Sequence, residues 1–255
     1  MSVEQPPADS AILVPQWPAP ATVRAAFTLR SGGVSGAPYD SLNLGAHVGD
    51  AAAAVAENRR RVWRQLQLPQ EPAWMAQVHG SDVIDLDAAD GAPACADAAV
   101  ARCAGRVCVV QVADCLPVLF AARDGLAIAA AHAGWRGLAA GVLEATVARL
   151  GTDPAQLIAW LGPAIGPQHF EVGAEVRAAF LAQDAAAADA FAANARGRWQ
   201  CDLAALARQR LGRAGVRQVF GGHWCTYADP GRFFSYRRDG QCGRMAALVW
   251  IAAGV

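Results

Sequence analysis

The stretch VCVVQVADCLPVLFAARDGLAIAAAHAGWRG, residues 107–137, decides the reading of the fold. Its first part, Val107–Ala113, is a continuous β-branched run, the pattern of a buried strand. A second strand-like run, Val118–Ala121, leads into Arg123–Asp124–Gly125, a hairpin-type turn signal, and Leu126–His132 reads as the returning strand. A helix then begins near Trp135–Gly137 and runs to about Leu150, with Gly151 as its stop.

Outward from this hairpin the pattern stays mixed. Ala25–Arg30 reads as a strand, followed by the loop SGGVSGAPYDSLNLG, which is long for a connector and marks a functional or mobile segment. Asp50 is placed to cap a helix over roughly Ala51–Leu66, ended by Pro69 and Pro72. Further strands are expected at Trp74–His79, Val83–Leu86, Val216–Phe220 and Ala246–Ile251. Further helices are expected at Gly173–Gln183 and from Asp202 to Leu211, with a loop at Gly162–Pro167. Hairpins beside crossovers imply an α+β fold, mixed β-sheets flanked by helices in a single domain. That domain is expected over residues 21–255. Residues 1–20, with five prolines, read as a loosely ordered lead-in.

Composition narrows the function. The 22 basic and 22 acidic residues cancel, so nothing collects phosphate contacts the way a nucleic-acid binder does. The triplet Arg59–Arg60–Arg61 reads as a solvated helix face. Every basic residue is arginine, which excludes Schiff-base chemistry and a Walker-type phosphate loop and leaves anions to arginine or backbone amides. No apolar stretch approaches a membrane span, and the N-terminus lacks the features of a signal peptide. Seven cysteines without a CxxC pair read as free thiols, and the expected location is cytoplasmic. GxGxxG and GxSxG are both absent.

Three candidate ligands end strand-like segments or follow them: His79, Cys115 and His132. Two imidazoles and one thiolate suit zinc, and three protein ligands leave a position open for water or substrate, the mark of a catalytic site. The competing reading is that a cysteine after an apolar run is an inert core residue. His47 and His223, on glycine-rich segments, read as structural or as supports for ligands, and His169 is unassigned.

Three segments carry a resemblance to a known family: Gln77–Val78–His79–Gly80, Ala113–Asp114–Cys115–Leu116–Pro117 and Ala131–His132–Ala133–Gly134–Trp135–Arg136–Gly137. They closely resemble those of the YfiH-type family, also called the laccase-domain, polyphenol-oxidase or peptidoglycan-editing-factor family. Ser41–Gly45 with His47–Asp50 and Asn58–Arg59 resembles its N-terminal signature. Gly162–Pro167 and Phe170–Gly173 resemble its central one, and Phe234–Arg238 and Gly243–Ala246 its C-terminal one. The resemblance implies a zinc ion on His79, Cys115 and His132. It also implies phosphorolysis of adenosine, inosine and methylthioadenosine, and deamination of adenosine. Two departures bear on substrate preference. The family usually ends the segment Ala96–Ala101 with threonine, and it usually carries tyrosine where this chain has Phe170.

Deamination needs a carboxylate to shuttle protons, so Asp97 and Asp114 join Cys115 as the catalytic candidates. Phosphorolysis needs a cation for phosphate, and Arg136, at a helix start beside His132, is the best placed, ahead of Arg59 and Arg238. Ser31 and Asn43, on the long loop, are candidates for contacting the nucleoside. The expected partners are thus a small-molecule nucleoside and phosphate, with no nucleic acid, no membrane and no inferable protein partner. Copper is the competing metal, because a His₂Cys set also suits a blue-copper site. A multicopper oxidase would need His-x-His pairs, and the five histidines form none. The alternative function is a hydrolase that edits peptidoglycan precursors with Cys115 as nucleophile and His132 or His79 as base.

Overall fold

The turn at Arg123–Asp124–Gly125 closes an antiparallel hairpin. Gly125 N donates to Ala122 O at 2.9 Å, and Asp124 Oδ1 accepts from Leu126 N at 2.9 Å. The computed structural model describes residues 11–88 and 95–252. Along the chain run β1 (Ile12–Leu13), β2 (Val23–Thr28), α1 (Ala52–Leu66), β3 (Val83–Asp85), β4 (Ala98–Ala101), β5 (Val107–Val112), β6 (Leu116–Ala122), β7 (Ile128–Ala133), α2 (Trp135–Ala140) and α3 (Val142–Leu150). Then follow β8 (Leu157–Leu161), β9 (Glu171–Val172), α4 (Ala174–Leu181), β10 (Phe191–Ala193), β11 (Trp199–Cys201), α5 (Leu203–Arg213), β12 (Gln218–Gly221), α6 (Tyr236–Asp239) and β13 (Met245–Ile251).

These strands make three sheets, of orders β1-β2-β13-β5, β12-β8-β6-β7-β4-β3 and β10-β11-β9. The four-stranded and three-stranded sheets are antiparallel; the six-stranded sheet is mixed, with β12·β8 and β3·β4 parallel. Side chains alternate across each strand and so sort into layers. Leu119, Ala121, Ile128 and Trp160 face Cys108, Val110, Ala247 and Val249 between the two larger sheets. Val118, Phe120, Ala129 and Leu157 face Leu138, Leu143, Val147 and Leu206 of the helices. Val107, Val109, Leu248 and Trp250 cover Val62 of α1 on the outer side. The result is four layers, helix–sheet–sheet–helix, with strands β5 to β7 buried on both faces. That burial explains their lack of alternation in the sequence.

Several expectations need correcting. Trp74–His79 does not form a strand; it makes only an isolated bridge, Ala76 to Cys95. The edge of β5 is instead met by a side chain, with Gln77 Oε1 accepting from Gln111 N at 2.7 Å and Gln77 Nε2 donating to Gln111 O at 2.9 Å. The single helix expected from Trp135 to Leu150 is two, because Gly141 adopts φ +96° and breaks it. Asp50 does not cap α1, whose N-cap is Ala51. Its Oδ2 accepts from Ser35 Oγ at 2.6 Å and Asn43 Nδ2 at 2.9 Å, so the loop claims the carboxylate. Within the lead-in, Ile12 and Leu13 are buried and pair with β2. Residues 1–10 of that lead-in lie outside the described residues. By contrast, Asp202 does cap α5, accepting from Ala205 N at 2.9 Å.

The long loop after β2 is fixed by one buried side chain. Asn58 Oδ1 accepts from Val34 N at 2.8 Å, and its Nδ2 donates to Ser35 Oγ and Asn43 O, each at 2.9 Å. Among the described residues no helix is long and apolar enough to cross a membrane. Leu119 is fully buried between the two larger sheets. Leu119→Ala is expected to lower unfolding stability by about 2–5 kcal/mol, read from denaturant midpoints at unchanged slope.

Candidate metal centre and its two cavities

Two bends and a strand end bring the site together. His79, with φ +62°, precedes Gly80; Asp114, with φ +83°, precedes Cys115; and His132 stands near the end of β7. Left-handed backbone at two non-glycine residues is strained, and such strain clusters where side chains must be aimed. The donor atoms of His79, Cys115 and His132 all lie within 4.8 Å of one another. Cys115 Sγ is 3.8 Å from His79 Nε2, and the two imidazoles meet edge to face with ring centroids 4.7 Å apart. Glycine is required beside them: a Cβ on Gly134 would come within 2.8 Å of Cys115 Sγ, and one on Gly137 within 2.8 Å of Gly80 O.

Asp97 organises this cluster and is fully buried. Its Oδ1 accepts from His79 N at 2.9 Å, and its Oδ2 from Gly80 N at 2.7 Å and Val78 N at 3.1 Å. Oδ1 also pairs with His132 Nδ1 at 2.7 Å, which leaves Nε2 as the nitrogen available to Cys115. Burial alone would raise the Asp97 carboxyl, but the bonds from His132, Gly80 and Val78 outweigh it and hold it below the usual carboxylate range. Burial likewise pushes the Cys115 thiol up; the His132 and His79 imidazoles overcome that and bring it down to about 6. Against its own burial, His132 is raised to about 9 by the Cys115 thiolate and Asp97.

Two soft-to-borderline imidazoles, a thiol poised as thiolate and a carboxylate fixing one imidazole from behind make a donor set that fits a metal ion. His79, Cys115 and His132 could hold it.

Two cavities meet at this cluster and share His79, Ala113, Cys115 and Tyr236 as a wall. One, of about 210 Å³, is largely apolar, with Trp135, Ile165, Phe170 and Leu203 among its lining and Asp114, Arg136 and Arg237 at its polar points. The other, of about 310 Å³, takes more of its lining from polar residues, adding His47, Gln77, Gln111, His132 and Arg244, and is called the polar cavity below. Burial and the Arg244 guanidinium hold the His47 imidazole below its ordinary value.

Of the residues singled out in the sequence, Arg136 reaches a cavity, where it is exposed and stacks on Trp135 at 4.4 Å. Asp114 reaches it too, with Oδ1 accepting from Thr226 Oγ1 at 2.6 Å and Oδ2 from Arg237 N at 2.7 Å. Ser31, Asn43, Arg59 and Arg238 line neither cavity. Asn43 is buried and holds Gly45 N and Arg244 N on its Oδ1, at 2.9 and 2.8 Å. Arg59 donates to Leu44 O and stacks over Trp74 at 4.1 Å. Arg238 donates to the carbonyls of Thr226, Tyr227 and Phe233. Of the two departures from the family pattern, Phe170 lines the apolar cavity, whereas Ala101 pairs with Ile128 at the other end of β4 from the cluster.

His47, Gln111, Tyr236, Arg237 and Arg244 were not singled out as binding residues. Gln111 left a signal: it is the one polar residue in the apolar run Val107–Ala113. Arg244 belongs to a segment recognised in the sequence, yet nothing local distinguishes it from the other arginines.

The geometry has counterparts among known proteins. A family model described as multi-copper polyphenol oxidoreductase laccase matches residues 24–252. The protein named purine nucleoside phosphorylase YfiH in Escherichia coli K12 is 54% identical over 242 residues, covering 95% of this chain and 99% of that protein. One of the same enzyme name from Haemophilus influenzae is 47% identical over 238 residues, covering 92% and 97%. The crystal structure of a Neisseria meningitidis protein superposes with a TM-score of 0.93 at 48% identity, covering 96% of this chain and all of that one. YlmD from Geobacillus stearothermophilus gives 0.89 at 31% identity, with 98% of each chain covered. The chain belongs to this YfiH-type family, whose model carries the laccase description.

Proposed function

We propose that the protein is a zinc-dependent purine nucleoside phosphorylase. The observation that carries this reading is the junction of a three-donor cluster with one apolar and one polar cavity. A nucleoside has the same division, an apolar planar base joined to a polar sugar, and the relatives' names supply the reaction class.

His79, Cys115 and His132 would hold the zinc, which when bound supplies a Lewis acid toward a substrate oxygen. Asp97 acts through His132, fixing its tautomer and ring orientation with every carboxylate oxygen already engaged. Trp135 and Phe170 offer faces for stacking a base, and the walls of Ile165 and Leu203 exclude water from it. Tyr236 borders both cavities and is positioned to touch a sugar lying between them. Deamination of adenosine would be a second reaction of the same site. It needs a proton carrier, and Asp97 and Asp114 both have their oxygens committed to donors.

A specific observation also favours a thiol-hydrolase reading. Cys115, His132 and Asp97 stand in the order nucleophile, base and orienting carboxylate. The third donor, His79, has no part in such a triad, and its place within the cluster favours the metal reading.

Cys115→Ala is expected to remove most of the bound zinc, measured as metal per chain. Undiminished stoichiometry would sink the ligand assignment. Asp97→Asn, which presents fewer acceptors to four donors, is expected to weaken zinc binding by about 10–100-fold in a chelator competition. Zinc-loaded protein is expected to release base from inosine or adenosine only when phosphate is present, as followed by chromatography. Release of ammonia without base would point to deamination instead.

A further inference from the structure

The polar cavity contains a group that the fold does not account for. Gln111 is only 5% exposed, yet its side chain donates to nothing and its Oε1 is buried without a partner. The neighbouring Gln77 amide is spent on the Gln111 backbone, so it cannot serve the Gln111 side chain. A buried amide left unpaired costs stability, and an apolar residue of the same shape would serve the packing of β5 better. Val107 and Val109 stand on the same face of that strand.

Arg244 lines the same cavity and is only partly used. Its Nη1 donates to Cys242 O at 2.9 Å and Gly243 O at 3.2 Å, while Nε and Nη2 donate to nothing. Its stem is held in place by Asn43 and Gly45: Asn43 Oδ1 takes its backbone N–H, and a Cβ on Gly45 would come within 2.7 Å of its Cγ. Among the described residues no carboxylate lines this cavity. The apolar cavity, in contrast, presents Asp114; both arginines lie over a ring, Arg136 over Trp135 at 4.4 Å and Arg244 over Tyr236 at 5.8 Å. Positive charge, unspent donors and the absence of an acidic group together describe a seat for an oxyanion.

We infer that the phosphate co-substrate sits in the polar cavity, held by the Arg244 guanidinium and by Gln111, whose Nε2 donates to a phosphate oxygen and whose Oε1 accepts the P–O–H of hydrogen phosphate, rather than by Arg136. This placement rests on the phosphorolytic reading above. The base then lies against Trp135 and Phe170, and the ribose crosses the shared wall of His79, Cys115 and Tyr236. An oxygen of hydrogen phosphate forms the bond to C1′ as the C1′–N9 bond breaks. The bonding pair leaves with the base, and the proton of hydrogen phosphate goes to it, giving ribose 1-phosphate and neutral base. Separate chambers for phosphate and base suit a displacement in which nucleophile and leaving group must not share one face of the sugar.

The test uses zinc-loaded wild type, Gln111→Leu, Arg244→Gln and Arg136→Gln, with inorganic phosphate titrated at saturating nucleoside. The phosphate KM is expected to rise roughly tenfold or more in Gln111→Leu and Arg244→Gln, the loss of one hydrogen bond to a charged group in each. Thermal unfolding separates this from a structural defect. Gln111→Leu is expected to unfold at the same temperature as wild type or higher, and to lose the rise in unfolding temperature that phosphate gives wild type. An unchanged phosphate KM in folded Gln111→Leu, or a rise confined to Arg136→Gln, overturns the placement while leaving phosphorolysis standing. Base release by wild type that ignores phosphate overturns the phosphorylase reading itself.

Discussion

The buried carboxylate of Asp97 is the constraint on which the site depends. Four donors converge on it: the amides of Val78, His79 and Gly80, and His132 Nδ1. Residues 78–80 belong to no strand, so these bonds replace the ladder that would otherwise hold His79 in place. The same carboxylate fixes the ring of His132 on β7, and so it sets the relative position of two donors 53 residues apart in the chain. An unpaired carboxylate at this depth would be costly, and so would four donors left without it. In this arrangement Asp97 orients His79 and His132 together.

Around this anchor the core is made of small residues. Ala129, Ala130 and Ala131 of β7 are fully buried between layers, beside Ala98 and Ala99 of β4. Small side chains let the helices and the second sheet approach the central strands closely, and the bulk is supplied from elsewhere by Phe120, Trp160 and Phe27. The same closeness governs the site, where Gly134 lies against the Cys115 sulfur and Gly137 against the Gly80 carbonyl. Packing and chemistry therefore share one requirement in residues 129–137, close approach of backbones.

How much of this could be read in advance follows from range. The hairpin of β6 and β7 and the cap at Asp202 depend on neighbours in sequence, and both were legible. Trp74–His79 looked like a strand because its side chains alternate, but it meets β5 through the Gln77 side-chain amide on the Gln111 backbone, a contact no periodicity encodes. Asn43, Arg59 and Arg238, polar residues in recognised motifs, line neither cavity. Their bonds go to backbone carbonyls and amides and to the carboxylates of Asp50 and Asp239, which is how a long loop and a chain end are fastened to the sheet. Arginines in this lysine-free chain do structural and electrostatic tasks alike, and only tertiary contacts separate them.

Gln111 shows the converse case, a site residue visible as an exception to a local rule. A polar side chain in a strand buried on both faces conflicts with the hydrophobic pattern, and natural sequences place such conflicts at functional positions. Asn58 is equally buried and polar but has partners for both its amide groups, so it is explained by the loop it fastens. Gln111 has none for its side chain and faces a cavity beside the donor cluster. The distinction between the two lies in whether the fold itself satisfies the group. A buried polar atom that the fold leaves unsatisfied, in a cavity without acidic residues, is better explained by a ligand than by packing.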